Sequence, residues 1–142
     1  DRTVLSDGYQ SHADNRSIAK VFFPADQIPY QDGSFSFLLS EHVLEHVPNV
    51  YKTLKEWNRV LEQNGVLILF LPHPARTFDC YRTETSLEHF REEEKRGSDA
   101  FEDLHWEDWK TNVLDRKLAP QYWNLPKDEA LKTGSLHRHV FG

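Results

Sequence analysis

The most constraining feature of this sequence is the stretch from Val21 to Leu71, where short apolar runs alternate with turns and with one helical pattern. Three of these runs are predicted to be strands, at 21–23, 35–39 and 66–71, and the continuous apolar run 35–39 predicts a strand that is buried on both faces. The order strand, turn, strand, helix, strand predicts a mostly parallel sheet of the α/β class. In such a sheet the loops at the carboxyl ends of the strands bind the ligand.

The helix of this stretch is predicted from four apolar residues at helical spacing, Val50, Leu54, Trp57 and Leu61. Asn49 is its expected N-cap, and Asn64-Gly65 its expected end, because both residues tolerate a left-handed backbone. A short helical turn is expected over 40–47, closed by Pro48.

The remaining chain predicts two more helices and one strand. Ser86 is expected to cap a charged helix that runs to Arg96 and ends at Gly97. A second helix is expected over 100–114, with four of its side chains partly buried, and residues 115–134 read as a loop. The alternation in 136–141 predicts a strand. The four partly buried side chains are Phe101, Leu104, Trp109 and Val113.

Composition limits the possible partners. The chain has 142 residues and a net charge of −6 with scattered Lys and Arg, so nucleic acid is not an expected partner. No apolar run reaches the length of a membrane span, and no membrane partner is expected. The single cysteine, Cys80, cannot form an internal disulfide, which favours a reducing, cytoplasmic location.

Several short motifs fall in register with one family pattern: Ile28-Pro29-Tyr30, Gly33-Ser34-Phe35, Leu44-Glu45-His46, Arg59-Val60-Leu61 and Gly65. With these motifs the chain resembles the class I S-adenosylmethionine-dependent methyltransferases of the small-molecule, type 11 kind. The segments RTFDCYRTETSLEHF and LHRHVF are similar to one subgroup of that family.

The resemblance implies a Rossmann-like sheet with helices on both faces, S-adenosylmethionine as the cofactor and a small-molecule acceptor. Methyl transfer would be direct, mainly by positioning the reactants, and no metal would be required. It implies one methyltransferase-like domain over 1–142. It also implies that the natural protein continues at both ends, with a Gly-rich loop before Asp1 and further strands after Phe141.

The resemblance also implies where the cofactor lies. Asp1 stands where an acidic residue would bind the ribose hydroxyls, and the backbone N–H of Ala25 would bind the adenine. Pro24 occupies the position of the family's adenine-binding carboxylate, for which Asp26 is the candidate substitute. Three residues after the central strand would meet the methionine part of the cofactor and the substrate: Ser40, Glu41 and His42.

His42 is the candidate for orienting the acceptor or taking its proton. The structural alternative is that Glu41 caps the short helical turn and that His46 packs beneath the sheet. Farther along, a polar group could line an acceptor pocket, with two arginines suited to a carboxylate or phosphate. The alternative there is a self-capping loop in which Asp79 pairs with one Arg. The group consists of His73, Arg76, Asp79, Arg82 and His89.

Two further functions remain open. Pro24 and the missing ends are compatible with a methyltransferase-like module that binds ligands or partners without catalysis. His42-x-x-Glu45-His46 also matches the inverted zinc-peptidase signature, which would make the chain a zinc-dependent hydrolase. Pro48 would leave the helix carrying that motif barely two turns long.

Overall fold

The computed structural model describes residues 21–142, and a parallel β–α–β unit forms its centre. Strand β1 (Phe35–Glu41) pairs in parallel with β2 (Leu61–Phe70), and helix α1 (Val50–Val60) lies between them in the chain. Parallel strands require such a crossover, because the chain leaves one strand at its carboxyl end and must return to the opposite end of the sheet to begin the next strand. The prediction of a Rossmann-like α/β fold, partial in this chain, is confirmed.

Helix α1 begins as the sequence predicts and ends earlier. Asn49 Oδ1 accepts a hydrogen bond from Lys52 N at 2.8 Å. The helix stops at Val60, and Leu61 already pairs with Phe35 of β1. The left-handed residue Asn64 (φ 70°) therefore lies in a bulge of β2 rather than at a helix end.

Gly65 belongs to the same bulge. A Cβ at this position would lie 3.0 Å from the carbonyl oxygen of Glu62 and 3.2 Å from Leu61 Cβ. The close approach of the backbone explains why glycine stands here.

Three predictions around β1 are wrong. Residues 21–23 form no strand within the described chain. The segment after them is bound to α1 by side-chain hydrogen bonds. Ser40 and Glu41 continue β1, and the residues after them form a single turn in which His46 N donates to Val43 O at 3.0 Å. The strand is also not buried on both faces, since Phe37 is 59% exposed.

The second half of the described chain is helical. Helix α2 (Leu87–Arg96) is capped by Ser86 and ends at Gly97 (φ 86°), as predicted. Helix α3 (Glu102–Trp109) follows a 3-10 turn at Ser98–Phe101 and continues as a π-helical turn through Lys110–Leu114. The prediction of a second helix is thus confirmed, although Leu104 is 56% exposed.

Helix α4 (Lys127–Thr133) contradicts the predicted loop over 115–134. It follows a short 3-10 turn at Pro120–Tyr122. Ala130 is the one residue of α4 that is buried, so the helix has no apolar stripe that periodicity could detect.

The segment 136–141 has no regular secondary structure, which corrects the prediction of a strand. Arg138 N and His139 N both donate to Glu45 O, at 2.8 and 3.1 Å, and Thr85 N donates to Val140 O at 2.8 Å. Its backbone thus bonds to a turn and a loop instead of a neighbouring strand. Residues 136–140 are nevertheless buried.

Two apolar clusters hold these elements together. The first packs α1 against the turn after β1 and against Phe90 of α2, and the second packs α3 and α4 around Leu136. In the part of the chain that the structure describes, no helix is both long and apolar enough to cross a bilayer.

Candidate functional site

A cavity of about 470 Å³ opens at the carboxyl end of β1. This is the edge at which parallel α/β sheets bind their ligands. One wall comes from the segment before β1 and the other from the turn after it. Its lining residues are Pro24, Ala25, Asp26, His42, Val43, His46, Val47, Pro48, Thr53 and Gly134.

The first wall is fixed to α1 by side-chain hydrogen bonds. Trp57 Nε1 donates to Ala25 O at 2.9 Å, and Ile28 N donates to Glu56 Oε1 at 2.7 Å. Lys52 Nζ lies 2.6 Å from Asp26 Oδ2. These contacts hold Ala25 and Asp26 at the cavity without a strand.

Arg59 completes the attachment of this wall. Its guanidinium donates to Ile28 O at 3.0 Å and to Tyr30 O at 2.9 Å. Hydrogen bonds from Arg59 also keep the pKa of Glu56 below its ordinary value. The spacing of Lys52, Glu56 and Arg59 on one face of α1 was the available sequence signal for this network.

His42 begins the second wall. It has a left-handed backbone (φ 50°), which is uncommon for a residue with a side chain. Its side chain is 56% exposed, and Nδ1 lies 3.3 Å from Oε1 of the fully buried Glu45. Within residues 21–142, Glu45 Oε2 has no hydrogen-bond partner. The pair therefore places an exposed imidazole over a buried carboxylate.

His46 also lines the cavity, from the turn rather than from beneath the sheet. Its Nδ1 donates to Leu136 O at 3.1 Å, and its ring lies edge-on to that of His137 at 4.5 Å. Burial, and then the nearby His137, lower the pKa of His46 to about 4. The imidazole is consequently neutral at neutral pH.

The structure brings together some of the predicted cofactor residues. Ala25, Asp26 and His42 line one cavity. Ser40 is buried in β1 and Glu41 is exposed at its last position, where it caps no helix. Asp1 lies outside the described residues.

The residues of the predicted acceptor-binding group lie in different environments. Asp79 and Arg82 form a buried ion pair of 2.8 Å, as the self-capping alternative predicts. Although burial raises the pKa of Asp79, hydrogen bonds from His137 and Arg82 outweigh it and lower that pKa. His73 and Arg76 are exposed on the loop after β2, and His89 lies on α2.

His89 belongs to a group of four residues that the sequence did not predict. His89, Glu93, His105 and His139 each offer a ligand atom within 4.8 Å of the others. Burial, followed by the neighbouring His105 and His89, lowers the pKa of His139 to about 2. The spacing of His89 and Glu93 on α2 was a local signal, but nothing in the sequence linked them to residue 139.

The zinc-peptidase arrangement is not formed. Its motif lies on a turn rather than a helix. In the described chain, the atoms that come within 4.8 Å of one another there belong to Glu45, His46 and His137, without His42.

Comparison with known proteins finds a similarity for the β–α–β unit. A family model described as a methyltransferase domain matches residues 6–69. Residues 6–69 are thus similar to a methyltransferase domain. The match covers β1, α1 and nearly all of β2, and it confirms the resemblance found in the short motifs.

The methyltransferase segment is also similar to a protein named demethylmenaquinone methyltransferase from Staphylococcus saprophyticus. The two are 32% identical over 65 residues, which is 46% of this chain and 28% of the relative. No solved structure matches the chain. Apart from Gly134, every residue that lines the cavity lies within the matched methyltransferase segment.

Proposed function

We propose that this chain is an S-adenosylmethionine-dependent methyltransferase that acts on a small-molecule acceptor. The observation that carries the proposal is the cavity at the carboxyl end of β1, inside the methyltransferase segment. The name of the similar protein, demethylmenaquinone methyltransferase, supports a small molecule as the acceptor class.

The size and lining of the cavity support binding of the adenosine end of the cofactor there. Its volume of about 470 Å³ is within the range of small-molecule sites. Pro24, Val43 and Val47 give it apolar surface for a flat heterocycle. Within residues 21–142, the N–H of Ala25 has no backbone acceptor and is free to donate to a ring nitrogen.

One carboxylate oxygen of Asp26 is already paired with Lys52. Lys52 occupies its Oδ2, and Oδ1 makes no hydrogen bond with residues 21–142. One carboxylate oxygen thus remains to accept from an amino or hydroxyl group of the ligand. Since Pro24 cannot supply a second carboxylate, binding rests on fewer polar contacts than the family pattern implies.

S-adenosylmethionine supplies an electrophilic methyl group on a sulfonium sulfur. The chain's contribution is to hold the acceptor in line and to exclude water. Nδ1 of His42 can donate to Glu45 Oε1, which leaves the lone pair of Nε2 for the proton that the acceptor loses. Glu45 is then a positioning residue for His42.

The second candidate is a binding module of the same fold without catalysis. Pro24 at the adenine position and the Lys52–Asp26 ion pair favour it, because both reduce the polar groups available to the cofactor. The two candidates share the cavity and differ in turnover.

Isothermal titration of the purified protein with S-adenosylmethionine tests the proposal. We expect binding, and we expect Val43→Trp to abolish it by filling the cavity. Val66→Trp is the matched control, since Val66 is 54% exposed on β2, away from the cavity. Absence of binding at millimolar cofactor, or unchanged binding in Val43→Trp, would refute the assigned site.

Turnover separates the two candidates. Conversion of the cofactor to S-adenosylhomocysteine is measured with and without a protein-free extract of small molecules. Acceptor-dependent conversion that falls at least about tenfold in His42→Gln, at unchanged cofactor affinity, supports methyl transfer assisted by His42. Binding without any conversion favours the binding module.

A further inference from the structure

Four side chains from three separate parts of the chain converge between α2, α3 and the segment 136–141. His89 and Glu93 come from consecutive turns of α2, His105 from α3 and His139 from the segment 136–141. None of the four lines the cavity at the end of β1. The group is therefore separate from the proposed methyl-transfer site.

The carboxylate of this group is buried without compensation. The side chain of Glu93 is 0% exposed, and within residues 21–142 neither of its oxygens accepts a hydrogen bond of acceptable geometry. A buried carboxylate is costly unless a cation or hydrogen-bond donors balance it. The described chain places no Lys or Arg within ion-pairing distance of Glu93, and three imidazoles surround it.

Four distances within the group, of 2.9 to 3.6 Å, are close to those between ligands around one ion. Nε2 of His105 and of His89 lie 3.0 and 3.2 Å from Glu93 Oε1, and Nε2 of His139 lies 3.6 Å from Oε2. The Nε2 atoms of His89 and His105 are 2.9 Å apart. Ligands at about 2.0–2.1 Å from a tetrahedral zinc ion lie about 3.3 Å from one another.

We propose that His89, Glu93, His105 and His139 bind one divalent transition-metal ion of the zinc type. Three imidazole nitrogens and one carboxylate oxygen are a donor set that zinc accepts in tetrahedral sites. The ion would balance the charge of Glu93 and replace the close contact between His89 and His105 with two metal–nitrogen bonds.

The site is structural rather than catalytic. Four protein ligands fill a tetrahedral shell, and His105, His139 and Glu93 are buried, so no open position remains for a substrate. The ion would join α2 and α3 to the segment 136–141. That segment in turn contacts the turn that lines the cavity, since His139 Nε2 lies 3.1 Å from Val47 O.

Binding changes the protonation of His139. Without the ion, Nε2 can donate its proton to Val47 O. Coordination needs the lone pair of that nitrogen, so the ring would carry its proton on Nδ1 instead. Metal binding thus replaces one hydrogen bond with a metal–nitrogen bond.

The test uses purified protein that is stripped with a chelator and then titrated with Zn²⁺ or Co²⁺ alone. We expect one zinc per chain by elemental analysis, an intense tetrahedral Co²⁺ absorption band, and a rise in Tm when zinc is restored. His89→Gln should weaken zinc binding at least about 100-fold and abolish the rise in Tm. His89 is the most exposed ligand, so this variant is the least disruptive to folding.

His73→Gln is the matched control, because His73 is an exposed histidine outside the group. It should bind zinc as the unmodified protein does. The proposal is overturned if stripped protein binds no zinc, or if His89→Gln and Glu93→Gln both keep it. Zinc that is retained in His89→Gln and lost in His137→Gln would overturn it too, since the ion would then belong to Glu45, His46 and His137. None of these readouts depends on methyl transfer.

Discussion

Arg82 illustrates how a single buried charge organises the loop after β2. Its guanidinium contacts Asp79 Oδ1 at 2.8 Å, Asp108 Oδ2 at 2.7 Å and Arg138 O at 3.2 Å. The side chain is 2% exposed, so these groups replace water almost completely. Arg82 thereby links the loop to α3 and to the segment 136–141.

We expect Arg82→Met to lower the free energy of unfolding by about 3 kcal/mol, because it leaves the buried Asp79 without its guanidinium partner. Urea denaturation followed by circular dichroism measures the change. Arg76→Met is the control, since Arg76 is exposed in the same loop and its replacement should cost less than about 0.5 kcal/mol. Equal effects of the two substitutions would contradict this account of Arg82.

At the residue scale, the sequence predicted the contacts that are close along the chain. Asp79 and Arg82 are three residues apart, and their pairing was one of two expectations. Asp108 and His137, which complete the network, are 26 residues from Arg82 and 58 from Asp79. Side-chain patterns carry no information about such partners until the fold is known.

Helix α1 is the element that the sequence predicts best at its start. Asn49 acts as the N-cap, and its Nδ2 also donates to Glu93 O of α2 at 3.4 Å. The cap is a local interaction, which is why it can be predicted from neighbouring residues. The predicted helix end at Asn64-Gly65 was wrong. Asn64 does have the left-handed conformation that commonly ends helices, but it has it in the bulge of β2.

Asn49→Ala should reduce the free energy of unfolding by about 1 kcal/mol, because Lys52 N loses its acceptor. Thermal unfolding in a calorimeter detects a change of this size. Asn58→Ala is the matched substitution in the same helix, at an exposed interior position, where alanine should be neutral or slightly stabilising. If Asn49→Ala were as neutral as Asn58→Ala, the cap would contribute nothing.

On the scale of the whole described molecule, the segment 136–141 joins two apolar cores. Leu136 is fully buried in the core of α3 and α4, whereas Phe141 packs against the core of α1 and the turn. The alternation in this segment was predicted as a strand. The segment is instead buried between a turn, a loop and the helices. Neighbouring residues in the sequence do not show where those elements lie.

Leu136→Ala should destabilise the protein by about 3 kcal/mol, within the usual range for a buried leucine. Because the segment touches both cores, we expect amide hydrogen exchange to accelerate in α1 as well as in α3. Leu104→Ala is the control at an exposed position of α3. Faster exchange that is confined to α3 and α4 would show that the two cores unfold independently.

The contacts of His46 also constrain how the protein forms during translation. Arg138 Nη1 donates to His46 O at 2.8 Å across 92 residues of sequence. At synthesis rates of about 5–20 residues per second, the ribosome needs roughly 5–20 s to make the chain between them. For that time the turn beside β1 lacks the residues that bury Glu45. The nascent β–α–β unit would therefore emerge with the turn at Glu45 not yet covered, although all the residues that line the cavity except Gly134 have already been made.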